Sequence, residues 1–334
     1  MEYNHLLEIK NLKVHFSTEQ GKVVAVDGVS FYVDSGEILG IVGESGCGKS
    51  VTSESIMRLH PEKTTKYEGE ILYKGSNLLS LSLDDMRKIR GDKISMIFQD
   101  PMSSLNPVYT IGNQIAESVR LHLKVSRKDA WDKAVQLLKF SGIPSPEKRI
   151  HEYPHELSGG MRQRVMIALA IACDPELLIA DEPTTALDVT TQAQILDLIL
   201  NLKNEFKMGT IFITHDLGVV AEVCTRVVVM YLGQVIEEAD VHQLFDSPLH
   251  PYTIGLIQSI PQIDGDRTKK LHTISGKVPS LHHIPKGCRF APRCPYADDL
   301  CRTKEPDLVS YTENHKVKCW HYEKIKGKET ISYG

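Results

Sequence analysis

The apolar run Ile38-Leu39-Gly40-Ile41-Val42 empties into Gly43-Glu44-Ser45-Gly46-Cys47-Gly48-Lys49-Ser50, and a helix-permissive segment, Val51 to Leu59, follows. Strand, glycine-rich turn and helix in that order are the setting a phosphate-binding loop requires. Glycines at 43, 46 and 48 admit backbone conformations that a side chain forbids, so successive N–H groups can turn inward on an anion. The helix opening near Lys49 adds the positive end of its dipole. Lys49 supplies a point charge for β- and γ-phosphates, and Ser50 a hydroxyl for Mg²⁺.

The rest of the chain is read around that loop. Its 334 residues predict about two domains, the larger able to bury its own core. A net charge of −4 gives no basic field for nucleic acid, so no such partner is expected. No apolar run approaches the roughly 18 residues a membrane span needs. The start, Met1 to His5, lacks the basic-then-apolar shape of a signal peptide. Cytosolic residence is therefore expected, which bears on the cysteines. Cys47, Cys173 and Cys224 are scattered, whereas Cys288, Cys294, Cys301 and Cys319 gather at the end. In a reducing compartment such a cluster points to metal rather than disulfides.

Leu6–Phe16 and Lys22–Val33 read as strands joined across Thr18-Glu19-Gln20-Gly21. Two readings of Phe16 are open, an aromatic face for an adenine ring or a strand-end core residue. Gly69–Tyr73 and Lys93–Phe98 read as further strands, the second ending at Gln99-Asp100-Pro101. The periodicity then turns helical over Ile111–Leu123 and Arg127–Phe140, with Ser126 and Asp129 offering a capping pair. A helical insertion at about 102–175 in an α/β core is predicted. It closes with Leu157-Ser158-Gly159-Gly160-Met161-Arg162-Gln163-Arg164 and a helical run, Val165–Cys173. Ser-Gly-Gly at a helix start is either a second anion site or a plain N-cap.

Leu177-Leu178-Ile179-Ala180 reads as a buried parallel strand with Asp181 and Glu182 at its C-terminal end, the edge where open α/β sheets place ligands. Asp181 is suited to hold Mg²⁺ and Glu182 to face an attacking water, the bland reading being a solvated strand end. A helix over Thr190–Phe206 and a strand over Thr210–Thr214 follow, the strand delivering His215. Arg226–Tyr231 and Gln234–Glu238 read as a β pair around Gly233, then short helices over Val241–Phe245 and Tyr252–Ser259. Glycines and prolines break the chain beyond Ile260, so a boundary is predicted near 260–270.

Phosphate loop, Gln99, Leu157 to Gly160, Asp181-Glu182, Asp188 and His215 occur in that order, and together they resemble the nucleotide-binding subunit of an ATP-binding-cassette transporter. The resemblance implies an α/β P-loop NTPase fold. It has a mixed sheet, an antiparallel β-subdomain and an inserted helical subdomain. It implies that Phe16 stacks on adenine and that Gly43 to Val51, with Glu44, Ser45 and Cys47 included, wrap the phosphates. Gln99 then touches Mg²⁺ beside Ser50 and Asp181, Glu182 is the general base, and His215 is the γ-phosphate switch. Lys49, Gln99, Glu182 and His215 form the catalytic set. Ser158, Gly159 and Gly160 act on ATP held by the opposite subunit, and Asp188 is a dimer contact. Met161 departs from the glutamine many cassettes carry there, and residues 18–21 lengthen the approach to the phosphate loop.

A narrower resemblance covers nearly the whole chain. Gln99 to Pro107, Ala180 to Thr190 and His250-Pro251-Tyr252-Thr253, followed by the cysteine segment, are similar to the oligopeptide and dipeptide importers. Met161-Arg162-Gln163-Arg164 is similar to the first of their two ATPases, the D-type subunit. The resemblance implies an ATP hydrolase on the cytoplasmic face of the membrane. Its partners would be a second ATPase, identical or related, two transmembrane permease subunits and an extracytoplasmic peptide-binding protein. Nickel importers share the architecture, and a soluble cassette ATPase without a transporter is a further alternative. The expected domains are residues 1–262, the cassette, and 263–334, a small cysteine-rich C-terminal domain. The Cys-x₅-Cys-x₆-Cys-x₁₇-Cys spacing matches neither common zinc nor common ferredoxin patterns. Members of the family with these cysteines look like holders of a [4Fe–4S] cluster, which is the expected group here; zinc is the alternative.

Overall fold

A computed structural model describes residues 4–19, 21–185, 187–260 and 273–326. In chain order its first elements are β1 Leu7–Thr18, β2 Gly21–Val33, β3 Ile38–Val42, α1 Lys49–Ile56, β4 Thr65–Tyr73, β5 Ser76–Asn77 and α2 Leu83–Ile89. Next come β6 Ile94–Ile97, α3 Pro101–Ser104, α4 Ile111–Leu123, α5 Arg127–Phe140, α6 Pro146–Arg149, α7 Gly159–Ala170, β7 Leu177–Asp181, α8 Val189–Phe206 and β8 Gly209–Ile213. The rest are α9 Leu217–Val223, β9 Arg226–Tyr231, β10 Gln234–Asp240, α10 Val241–Asp246, α11 Pro251–Gln258, α12 Asp299–Thr303, β11 Val309–Thr312, β12 His315–Val317 and α13 Tyr322–Ile325.

These elements form two compact units, each made of several chain segments. The first comprises residues 4–7, Val33–Ile38 and Tyr73–Ile213. Its strands β6, β7 and β8 pair in parallel, with Ile94 opposite Leu177 and Asp181 opposite Ile213. Every residue of these strands is buried, as near-continuous apolar runs in a parallel sheet require. Between β6 and β7 in sequence stand α3 to α7. The predicted helices α4 and α5 form with the predicted bounds because local chemistry stops them. The Thr110 hydroxyl caps α4, while Ser126 Oγ donates to Asp129 Oδ2 at 2.7 Å and accepts the Asp129 N–H at 3.2 Å. Helix α7 starts directly after Ser158, where Ser-Gly-Gly placed a helix start, and ends at Ala170, short of Cys173.

The second unit comprises Glu8–Tyr32, Leu39–Leu72 and residues 214–326. Here β3 pairs in parallel with β9, and β9, β10, β12 and β11 continue antiparallel, so the sheet is mixed. β2, β1 and β4 form a separate sheet in that order. The predicted pair around Gly233 is a hairpin, with Leu232 and Gly233 both at positive φ.

Among residues 273–326 the chain forms α12, β11, β12 and α13 despite its glycines and prolines. Elements of three to five residues are too short to show periodicity, and β12 depends on a remote edge for its bonds. Buried side chains fix that docking. Glu237 of β10 accepts from His315 of β12 at 2.8 Å and from the backbone N–H groups of Leu249 and His250. Nearby, Arg226 is bonded to Glu238 and to the Tyr32 carbonyl, with its guanidinium 3.9 Å from the Tyr32 ring centroid. The boundary expected near 260–270 lies mostly in 261–272, outside the described residues.

Candidate functional site

In the second unit the β3 strand ends at Val42 and the chain turns through Gly43 at φ +152° and Gly46 at +77°, with Gly48 capping α1 at +104°. A Cβ at Gly43 would lie 2.3 Å from the Met230 carbonyl, so no other residue fits there. Lys49 is buried, and its Nζ donates to the carbonyls of Gly43 at 2.7 Å and Glu44 at 3.2 Å. The loop thus holds its own cation through its own carbonyls. Cys47 is buried against Lys49, and burial raises its thiol pKa although the ammonium opposes that. Ser50 opens α1 just after Lys49.

Two further residues hold the loop from outside, and one of them carries no local sign in the chain. The Tyr252 hydroxyl accepts the Glu44 N–H at 2.7 Å. The Glu44 carboxylate is gripped by both Nη atoms of Arg293, at 2.5 and 3.0 Å. Tyr252 stands in the His250–Thr253 motif, whereas nothing near Arg293 in the chain points back to residue 44.

Phe16 is half-buried with its ring edge-on to His60, centroids 5.0 Å apart. His215 is exposed in the turn that precedes α9, between Thr214 and the α9 cap Asp216.

The first unit carries the acidic and signature residues. Asp181 ends β7 and is buried. Glu182 follows at φ +46°, an uncommon conformation for this residue type, with its N–H on the Ile213 carbonyl at 2.9 Å. Its Oε2 accepts from Gln99 Nε2 at 2.9 Å and from Thr185 Oγ1 at 3.0 Å. Gln99 and Glu182, expected to act together, are therefore in direct contact. Ser158 caps α7 through Met161 N–H at 3.3 Å, which matches the plain capping reading and leaves its exposed position consistent with an anion site. Gln163 of α7 donates to the Pro183 carbonyl at 2.6 Å, tying the signature helix to the turn that bears Glu182. Asp188 caps α8 through Thr191 N–H at 3.0 Å and Thr191 Oγ1 at 2.7 Å, and these bonds lower its pKa. Gly160 approaches the same Thr191 so closely that a Cβ would lie 2.9 Å from its Cγ2.

The four C-terminal cysteines are free thiols. Burial pushes those of Cys294 and Cys319 up to about 12 and raises Cys288 and Cys301, with neighbouring thiolates adding to the rise at Cys288, Cys294 and Cys319. The His321 N–H donates to Cys319 Sγ at 3.4 Å, while the Ala291 and Ala297 N–H groups go to the Cys288 and Cys294 carbonyls. Desolvated thiols gathered in one segment fit a bound cationic centre, which would let them ionise. Asp298, Cys301 and His321 also bring three donor atoms within 4.8 Å of one another, the one such set among the described residues. Sequence reading missed Asp298 and His321.

Comparison with known proteins identifies the family. Residues 26–185 match the family model described as ABC transporter, and residues 236–301 that described as Oligopeptide/dipeptide transporter, C-terminal region. The second match begins within β10 and takes in three of the four clustered cysteines. The chain is 55% identical over 321 residues to the "Probable peptide ABC transporter ATP-binding protein y4tR" of Sinorhizobium fredii, covering 96% of each. It is 53% identical over 319 residues to the "Oligopeptide transport ATP-binding protein AppD" of Bacillus subtilis, covering 95% of this chain and 97% of that protein. Among solved structures, the dimeric post-hydrolysis state of the ATP-binding cassette MJ0796 bound to ADP and Pi is similar with a TM-score of 0.64. It is 29% identical, and the match covers 70% of this chain and 98% of that one.

Proposed function

This chain belongs to the family of peptide ABC transporter ATP-binding proteins, and from that premise we propose that it binds and hydrolyses ATP to drive import of di- and oligopeptides. The observation that carries this reading is the reach of the likeness: it runs through the cassette and the cysteine-rich tail alike, at 55% identity over 96% of both chains.

The proposed roles follow the chemistry of each group. Gly43 to Val51 wrap the phosphates, with Lys49 leaving its own carbonyls for the β- and γ-phosphates, and Phe16 stacks on the adenine. When bound, Mg²⁺ supplies charge neutralisation; Ser50, Gln99 and Asp181 are the residues that would hold it. Glu182 takes the proton of the attacking water, and His215 contacts the γ-phosphate. Ser158, Gly159 and Gly160 complete the site of a second ATPase subunit, identical or related, with Asp188 at the dimer contact. Burying two ATP molecules between subunits favours the closed dimer by linkage. The cassette, residues 1–262, carries this chemistry, and residues 263–334 form the C-terminal domain.

Two permease subunits and an extracytoplasmic peptide-binding protein complete the assembly, with this subunit peripheral on the cytoplasmic face. No helix among the described residues is long and apolar enough to cross a membrane, which suits that placement. For the tail, Cys288, Cys294, Cys301 and Cys319 would hold a [4Fe–4S] cluster that staples a segment with little core of its own. One zinc ion would draw its sulfurs to about 3.8 Å from each other at ordinary Zn–S lengths. The zinc alternative has Asp298, Cys301 and His321, whose donor atoms lie within 4.8 Å of one another.

The test is reconstitution with the two co-purifying membrane subunits and the binding protein. Peptide should stimulate ATP cleavage, and Lys49→Ala should abolish it. Stimulation by nickel alone would move the substrate, and full ATPase without membrane partners would remove the transport reading.

A further inference from the structure

We propose that Arg293, a residue of the cysteine-rich tail, is a positioning residue for nucleotide binding: it neutralises Glu44 and keeps that carboxylate out of the phosphate loop. The proposal rests on Gly43 to Ser50 being the ATP loop, and its control tests that assignment separately.

The segment from Cys288 to Cys294 plugs directly onto the loop. Phe290 packs edge-on against Tyr231 and Tyr252, with centroids 5.3 and 5.4 Å away, and Tyr252 in turn holds the Glu44 N–H. Arg289 is bonded to Asp27 and to the Leu232 carbonyl of the β9–β10 turn. Arg293 makes the decisive contact. Its side chain is 3% exposed, it grips Glu44 through both Nη atoms, and its remaining donors reach the Ser275 and Ile274 carbonyls and the Tyr231 hydroxyl. The guanidinium is thus fixed from several sides before Glu44 meets it.

Glu44 is an awkward residue at that position. Lys49 already donates to the Glu44 carbonyl, and a free carboxylate beside it would attract the ammonium and repel a polyphosphate. A bidentate arginine partner removes both effects and fixes the direction in which the carboxylate points. The tail thereby sets the charge of the loop, and Cys288 and Cys294 border the segment that does so.

Equilibrium binding of MgATP to the full chain tests this, with melting measured alongside. Arg293→Ala should weaken ATP about ten-fold, raising KM more than it lowers kcat, and Arg293→Lys should fall between. The decisive variant is Arg293→Ala with Glu44→Gln. If charge is the reason, the double variant recovers to within about two-fold of Glu44→Gln alone. A double variant as weak as Arg293→Ala would overturn the proposal, leaving only a packing role. So would wild-type affinity in Arg293→Ala. If that variant fails to fold, Arg293→Gln with and without Glu44→Gln gives the same comparison. Lys49→Ala is the control: if it binds ATP normally, the loop assignment fails, and not the clamp alone.

Discussion

Gln99 donates its carboxamide to the carboxylate of Glu182 at 2.9 Å, and Thr185 donates to the same oxygen at 3.0 Å. The proposed base is therefore held at a fixed orientation by two neutral donors, in a backbone conformation, φ +46°, that a glutamate rarely adopts. A carboxylate fixed in this way is ready to receive a proton without first reorganising.

Glu182→Gln keeps the size and most of the hydrogen bonding but removes the proton acceptor. ATP affinity should be unchanged, hydrolysis should slow by about 10²–10⁴, and ATP-bound closed dimers should accumulate. Size-exclusion chromatography with ATP and a single-turnover assay measure both. Normal turnover would take Glu182 out of this role.

Gly160 has no room for a methyl group, since a Cβ would press on Thr191 Cγ2 at 2.9 Å and Thr191 is locked by its bond to Asp188. Gly160→Ala should therefore destabilise the chain by about 1–3 kcal/mol, as overpacked sites do. Adding Thr191→Ser removes Cγ2 and keeps the hydroxyl on Asp188, so it should restore most of the loss in urea unfolding. No rescue would mean that the strain lies elsewhere.

What the sequence showed and what it hid follow the same physical division. Helix α5 was legible to its last residue because the Ser126–Asp129 cap and the apolar stripe are local. The phosphate loop was legible because its glycines are required by the backbone itself. β11 and β12 were not, because three or four residues paired to a distant edge leave no periodic trace. Arg293 and Glu44 are 249 residues apart, and no local pattern encodes so remote an ion pair. Asp298 and His321 were hidden for a related reason. The cysteines drew attention by type, whereas the Asp298–His321 contact at 2.9 Å exists only once the tail is folded.

His250 gives the fold a pH dependence of known sign. It is fully buried at the start of α11, its Nδ1 accepts the Tyr252 N–H at 3.0 Å, and burial pushes its pKa down to about 3. Glu237 accepts the His250 backbone N–H, and Arg289, Glu305 and Lys318 line the same small cavity as His250. The unfolded chain protonates this histidine near 6.5 while the folded chain does not, so the stabilisation is complete above 6.5 and shrinks as pH falls toward 3. By pH 5 the loss is about 2 kcal/mol. His250→Asn keeps a capping acceptor without a titrating ring. Its urea midpoint should vary less between pH 7 and 5 than that of the unmodified chain, and equal slopes would assign the dependence to other groups.

The cysteine cluster makes the last prediction, and its readout is composition. Protein prepared without oxygen should contain iron and acid-labile sulfide in equal amounts and be brown. Cys294→Ser should lose most of that iron, because it removes one of the four thiols proposed to hold the cluster. Since Cys288 and Cys294 bracket Phe290 and Arg293, the same variant should melt at lower temperature and lose the tryptic protection of the tail. The control is Cys173→Ser, at a buried cysteine that contacts Ser118 instead of the cluster, and this variant should keep its iron. Stoichiometric zinc without iron in the unmodified protein would replace the cluster with a zinc site, and undiminished iron in Cys294→Ser would remove that cysteine from the ligand set.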